Sequence, residues 1–198
     1  LMIKLQGSIP RSIGVAVSGG VDSMSVLHFL SRNHDVTAYC FDHGTEFGSE
    51  ALAFVERYCL DNCIPLQRGH ITSERPDGIS REEHWRNERY NWLKTFDQTI
   101  VLGHHLDDCV ETYIWSSLHG TPKVIPMIRN NVLRPFLTTR KQELIDWCVR
   151  KNVPWIEDKS NDNTDYTRNY IRKELMPHAL QVNPGLHKVV KKIVEKRT

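Results

Sequence analysis

The sequence predicts an α/β domain: a parallel sheet with helices on both faces, followed by a small helical C-terminal appendage. Three observations carry that expectation. Short apolar runs alternate with helical patterns through the first half of the chain. The first run stops at a glycine turn, Ser18-Gly19-Gly20, that opens a helical pattern. Residues able to do chemistry recur just beyond predicted strands, the ligand-binding edge of an open parallel sheet.

Ser12 to Val17 is short and apolar and reads as a buried strand. From about Ser23 to Ser31, Met24, Leu27 and Leu30 recur at helical spacing. Val36 to Phe41 reads as a second strand, running into Asp42-His43-Gly44. Ser49 to Asn62 reads as a helix with Leu52, Val55 and Cys59 on one face. Pro65 to Ile71 is expected as a third strand, and Thr72 to Ile79 as a loop. Ser80 with Glu83 forms a capping-box pattern. The helix it opens carries Trp85, Trp92, Leu93 and Phe96 and is expected to expose Arg81, Arg86 and Arg89. Thr99 to Gly103 is a fourth strand, followed by His104-His105.

A helix is expected from about Leu106 to Leu118, buried through Val110, Tyr113, Ile114, Ser117 and Leu118. His119 to Asn131 reads as a polar loop and Val132 to Leu137 as an extended piece. Thr139 with Gln142 suits a cap for a helix reaching about Lys151. Pro154 to Ile156 is extended, Glu157 to Thr167 polar, and Arg168 to Leu175 helical. After the break at Asn183-Pro184-Gly185, Leu186, Val189, Val190, Ile193 and Val194 form an apolar stripe. That stripe is expected to pack on the body, and dimerisation through it stays open. The expected division is 1–137 for the ligand-binding α/β domain and 138–198 for the helical extension packed on it.

Composition narrows the class. A chain of 198 residues, 39% apolar and 25% charged, is enough for one globular domain with a real core. No apolar run approaches the roughly 20 residues that span a bilayer, and Leu1-Met2-Ile3-Lys4 does not begin a leader pattern. A cytoplasmic protein with no membrane partner is expected. Cys40, Cys59, Cys63, Cys109 and Cys148 include no Cys-x-x-Cys pair, so reduced, mostly buried thiols are expected rather than zinc or an iron–sulfur cluster.

Three signals point to a site. The turn Ser18-Gly19-Gly20-Val21-Asp22-Ser23 puts free amides and the positive end of a helix dipole against an anion, with two hydroxyls and a carboxylate beside it. It lacks the lysine and spacing of a Walker loop. Asp107, Asp108 and Glu111 fall three and four residues apart, so their carboxylates are expected on one helix face, as magnesium ligands or a pocket for an amine. Basic residues supply the third: Arg86 and Arg89 on the middle helix, Arg168, Asn169 and Arg172 later, suited to phosphate recognition.

The Ser18 to Ser23 turn resembles the PP-loop of N-type ATP pyrophosphatases, which cleave ATP to AMP and pyrophosphate. Further stretches extend the likeness. They are Phe41-Asp42-His43-Gly44, Ser80-x-Glu82-x3-Arg86-x2-Arg89-Tyr90, and Gly103-His104-His105-Leu106-Asp107-Asp108-x2-Glu111-Thr112. Arg134-Pro135-Phe136-Leu137, Trp155-x-Glu157-Asp158-x-Ser160-Asn161 and Arg168-Asn169-x-Ile171-Arg172 follow. In this order, from about Ile13 to Leu180, they are similar to the tRNA(Ile)-lysidine synthetase family, here as a short form without the family's usual extra C-terminal domains. The resemblance implies a Rossmann-like PP-loop fold. It implies an ATP-dependent ligase that adenylates the wobble cytidine of a CAU-anticodon tRNA and attaches free lysine, with ATP and Mg2+ as cofactors. ATP would meet Ser18 to Ser23, Phe41, His43, Gly103 and His104. Asp22 and Asp108 would support magnesium, and Asp107 or Glu111 would contact lysine or cytidine. Arg86, Arg89, Arg168, Asn169 and Arg172 would face ATP or the anticodon loop. Cys109 inside the acidic motif keeps a tRNA-thiolating enzyme open, and a tRNA-binding module without turnover is the other alternative.

Overall fold

The structure is a computed structural model that describes residues 3–158 and 167–197. Six strands form one sheet in the order β3-β2-β1-β4-β6-β5. They are β1 (Ser12–Val17), β2 (Asp35–Asp42), β3 (Leu66–His70), β4 (Ile100–Val101), β5 (Ile128–Arg129) and β6 (Val132–Leu133). All neighbours pair parallel except β5 with β6. The β4 ladder is short, yet Gly14 N–H bonds Thr99 O and Leu102 N–H bonds Leu133 O, so the expected strand is extended along its length.

Helices α1 (Val21–Ser31) and α2 (Glu46–Asp61) connect β1 to β2 and β2 to β3. The chain then reverses its direction across the sheet, and α3 (Arg81–Leu93) leads to β4 on the other side of β1. Right-handed crossovers put α3 on the face opposite α1 and α2. One apolar core gathers Ile13, Val15 and Val17 of β1 with Met24, Leu27 and Leu30 of α1 and Val55 of α2. Leu144, Trp147 and Cys148 of α5 (Lys141–Lys151) complete it. On the other face, Leu93 of α3 packs with Tyr39 and Ile100.

The remaining helices are α4 (Leu106–Leu118), α6 (Thr167–Tyr170), α7 (Met176–Val182) and α8 (Leu186–Lys196), with a π-helical turn, Ile171–Leu175, joining α6 to α7. The apolar stripe of α8 packs on α4: Leu186, Val190 and Val194 meet Leu106, Cys109 and Val110. Val189 of the same stripe stays exposed. No helix among the described residues is long and apolar enough to cross a membrane.

Several boundaries differ from expectation for local reasons. Helix α1 starts at Val21, two residues early, because Gly20 O already accepts from Met24 N–H. Helix α2 starts at Glu46, capped by Thr45, whose hydroxyl accepts from Gly48 N–H at 2.9 Å; the glycine in its first turn hid that start. Thr139 does not cap α5; its carbonyl instead accepts from Leu106 N–H at the start of the helix Leu106–Leu118. Its hydroxyl donates to Lys4 O at 2.9 Å, and Arg140 stands at the N-terminus of α5. The buried face of α4 is also rotated from the expected one. Asp108, Cys109, Val110, Glu111 and Ser116 are buried while Leu118 is 69% exposed.

Candidate active site

The glycine turn joins β1 to α1 at the point where strand order reverses, between β1 and β4. Gly19 adopts φ +81, the left-handed conformation natural to glycine. Ser23 closes the turn: its hydroxyl accepts from Ser18 N–H at 3.1 Å and donates to Gly20 O at 3.0 Å. From the other side Ile156 N–H donates to Gly19 O at 3.0 Å, and a Cβ on Gly19 would meet the Ile156 side chain at 3.1 Å. The extended stretch before the second basic motif is thus strapped across the loop. Its continuation through Ser160 and Asn161 lies outside the described residues.

A cleft of about 650 Å³ opens at this loop. Ser18, Gly20, Asp22, Ser23, Phe41, His43, Gly103, His104, Arg89, Asp108, Arg168, Asn169 and Arg172 all line it. The three stretches at strand ends therefore converge, as expected. Gly103 lets the end of β4 approach α1, since a Cβ there would meet Asp22 O at 3.3 Å. Four predicted site residues, Val21, Arg86, Asp107 and Glu111, lie off the wall, as does Gly19 beneath the strap. Arg86 is exposed, its guanidinium 4.9 Å from the Tyr90 ring centre. Arg89, expected on the surface, is instead half-buried with an enclosed, unbonded Nε. Burial and the neighbouring Arg86, Arg168 and Arg134 lower its pKa, so an anion in the cleft would relieve it.

The acidic group is split. Asp108 and Glu111 face Arg168 and Arg172. Arg168 donates to Asp108 Oδ1 at 3.0 Å and to Glu111 Oε2 at 3.2 Å; Arg172 donates to Glu111 Oε1 at 2.7 Å. Both carboxylates are nearly inaccessible, Asp108 at 7% and Glu111 at 3%. Two buried carboxylates one turn apart need such cations. Asp107 turns away. His187 Nε2 lies 3.0 Å from its Oδ1, and Lys141 N–H donates to its Oδ2 at 2.8 Å. Asp107 is therefore a buttress linking α4, α5 and α8, not a wall of the cleft. Neighbours on a helix diverge by about 100°, and the i, i+4 rule gave no weight to which partners arrive from outside.

His105 caps α4: its Nδ1 accepts from Asp108 N–H at 3.3 Å, and its own N–H donates to Asp108 Oδ2 at 3.0 Å. Its Nε2 sits 3.5 Å from both Asp22 Oδ2 and Asp108 Oδ2. Burial alone would lower the His105 pKa, but Asp108, Asp22 and Asp107 together outweigh it and raise it. Burial opposes Asp108 ionisation, yet His105, His104 and Arg168 hold its pKa down to about 2. His104 behaves oppositely. Burial, then the charge of Arg134, pushes it down to about 3, so it is a neutral ring at pH 7. Arg134, 2% exposed, holds it by donating from Nε to His104 Nδ1 at 3.2 Å, and also reaches Tyr90 and Pro126. Burial and Arg89 lower His43 to about 4, and its ring stacks on Trp85 at 5.3 Å.

A magnesium ion fits these donors better than zinc. Among the described residues no three His, Cys, Asp or Glu side chains form a metal site. Asp22 and Asp108 flank one imidazole, and Asp22 Oδ1 is enclosed without a partner. Magnesium needs only one or two carboxylates when phosphate oxygens and waters complete its shell. Sequence reasoning gave no role to Arg134, His187, Arg140 or Lys141. Arg134 had a signal in its Arg-Pro-Phe-Leu stretch; the others become visible only through long-range packing.

A parallel sheet whose glycine loop faces a cleft of arginines and buried carboxylates defines a nucleotide-handling α/β domain. The chain belongs to the PP-loop domain family, whose profile matches residues 3–179. It is 32% identical to a tRNA(Ile)-lysidine synthase of Thermotoga maritima over 91% of this chain and 48% of that protein. It is equally identical to one of Bacillus subtilis, over 94% of this chain and 44% of that protein. The chain thus spans about half the length of the curated relatives it matches. Among solved structures, an NH3-dependent NAD synthetase from Campylobacter jejuni aligns with TM-score 0.54 at 16% identity, covering 97% of this chain and 87% of that one. An NMN synthetase from Francisella tularensis aligns with TM-score 0.51 at 14% identity, covering 95% of this chain and 87% of that one. These two share the fold.

Proposed function

We propose that this domain uses ATP and Mg2+ to adenylate the C2 oxygen of the wobble cytidine in a CAU-anticodon tRNA and then joins free lysine to that carbon, releasing AMP and pyrophosphate. The observation that carries this reading is the placement of the buried Asp108–Glu111 pair beside a cleft that begins at the glycine turn. Both carboxylates hold guanidinium cations here, and Glu111, which is not among the magnesium donors, would exchange one of its two for a substrate ammonium. Lysine carries two amines: one is anchored as ammonium while the other, neutral, attacks.

In the first step the cytidine oxygen bonds to the α-phosphorus, and the bond to the bridging oxygen breaks with its electron pair leaving on pyrophosphate. In the second the lysine nitrogen bonds to C2, and AMP departs with the electrons of the C2–O bond while the nitrogen sheds a proton. The remaining loop amides and the Ser18 hydroxyl orient the triphosphate, on a turn that the Ser23 hydroxyl holds closed. Arg89, enclosed among cations, meets the phosphate charge, and Arg168, Asn169 and Arg172 stand between nucleotide and acceptor. Phe41 and His43 border the nucleotide at the end of β2, and Gly103 leaves room beside it. Asp22 and Asp108 would hold Mg2+, which supplies charge neutralisation on the phosphates. Arg86, off the cleft and exposed, fits the RNA rather than the nucleotide.

The names of the relatives support this reading. The thiolation alternative loses its support in Cys109, which is fully buried with its pKa raised by burial to about 12. Incubation with CAU-anticodon tRNA, ATP and labelled lysine tests the proposal. Label in the tRNA is expected, and folded, tRNA-bound protein that incorporates none refutes it. A compartment of action in the cytoplasm follows from a tRNA substrate.

A further inference from the structure

The glycine turn has a chemical gap. It offers amides and a hydroxyl to a triphosphate but carries no cation of its own, and the leaving pyrophosphate gathers negative charge as it departs. Lys141, the first residue of α5, stands off the cleft wall, and its side chain approaches the loop from outside through Asp22. Its Nζ is 3.6 Å from Asp22 Oδ2 in the first turn of α1.

Its position is built rather than incidental. The Lys141 amide is held by Asp107 Oδ2 at 2.8 Å, and Asp107 is fixed in turn by His187 and by Arg140 Nε at 3.4 Å. Further along α5, Cys148 Sγ lies 3.8 Å from Val21 O, which sets the register of α5 on α1. Fold and hydrogen bonds thus anchor the backbone of Lys141 beside the loop, while its long stem leaves the ammonium free to swing several ångströms. Nothing in the fold needs the Asp22 contact. The two side chains are 35% and 32% exposed, and a pair so wet contributes less than about 1 kcal/mol.

We propose that Lys141 is the cation for the β,γ end of the bound triphosphate: its ammonium leaves Asp22 for the phosphate oxygens and stays with pyrophosphate as the bond to the α-phosphorus breaks. This rests on the reading of the cleft as an ATP site. Lys141 takes the part that a lysine inside the glycine loop plays in Walker-type sites, delivered here by a different helix. It also explains the Asp107 buttress, which serves the reaction by placing Lys141 and not by touching substrate.

Calorimetric titration with pyrophosphate, with AMP and with a non-hydrolysable ATP analogue, in magnesium buffer, separates the outcomes. For Lys141→Gln, pyrophosphate and the analogue should bind about tenfold more weakly while AMP affinity stays within about twofold, because AMP lacks the β,γ end. Lys141→Arg should recover most of the loss. Equal pyrophosphate affinity in Lys141→Gln and the parent overturns the proposal and leaves the ATP site standing. A parent chain that binds none of the three ligands overturns both. A thermal unfolding midpoint unchanged in Lys141→Gln is expected; a large drop would instead assign Lys141 a structural role and overturn the proposal.

Discussion

Arg172 Nε donates to Glu111 Oε1 across 2.7 Å, and that bond ties the π-helical turn after α6 to α4 beside the cleft. Burial would lower the Arg172 pKa, but the Glu111 bond and the charges of Glu111, Asp108 and Asp22 raise it instead. Removing the guanidinium strands a carboxylate that is 3% exposed, with Arg168 as its remaining partner. Arg172→Ala should therefore cost about 1–3 kcal/mol in urea unfolding. Adding Glu111→Gln should return part of that loss, since the uncompensated charge disappears; a double variant no better than the single one contradicts the pairing.

If Glu111 seats the substrate ammonium, Glu111→Gln should raise the KM for lysine by about tenfold or more while the KM for ATP moves less than about threefold. Lysine-dependent AMP release, measured across lysine concentrations, checks this. An unchanged lysine KM would remove Glu111 from the amine site.

Gly19 carries two constraints at once, a φ of +81 and the Ile156 side chain 3.1 Å from where a Cβ would stand. Gly19→Ala should lose about 1–2 kcal/mol of stability from the left-handed backbone alone. It should also weaken nucleotide binding by lifting the Ile156 strap. Calorimetry with a non-hydrolysable ATP analogue measures the second effect.

Cys109 lies at 0% exposure against the packing of α8. Cys109→Ser should leave lysine incorporation within about twofold of the parent and lower stability by about 1 kcal/mol, the cost of burying a hydroxyl where a thiol sat. Loss of turnover in folded Cys109→Ser protein would restore the case for sulfur chemistry.

His43 resists protonation in the folded state: burial first, then Arg89, lowers it from 6.5 to about 4. A base whose folded pKa is depressed gives stability that is whole above its unfolded value and lost as pH falls through the folded value. The parent protein should therefore lose stability between about pH 6.5 and pH 4. His43→Asn should show a shallower decline over the same window, read from thermal midpoints at stepped pH.

The sheet and loop were legible because their signals are local. Apolar runs ending in Ser18-Gly19-Gly20, Asp42-His43 and Gly103-His104 named the strand ends, and parallel topology brought them to one edge. Helix α4 ran from Leu106 to Leu118 as its periodicity implied. What stayed hidden depends on distant partners. Asp107 left the acidic group because α5 and α8 reach it, through contacts 34 and 80 residues away in sequence. Thr139 was drawn off its expected cap by Lys4 O, 135 residues away. Leu118 belongs to the apolar pattern of α4 but extends past the ground that α8 covers. Arg89 reads as one more surface arginine until the cleft wall encloses it.

The central claim is that this cleft joins lysine to a tRNA cytidine at the expense of ATP. Nucleoside mass analysis of CAU-anticodon tRNA, after reaction with the protein, ATP, Mg2+ and lysine, tests it most directly. The account predicts one cytidine per tRNA that gains lysine with loss of water, only when both ATP and lysine are present. Unmodified cytidine, or a sulfur-bearing or otherwise altered nucleoside formed without lysine, would contradict it.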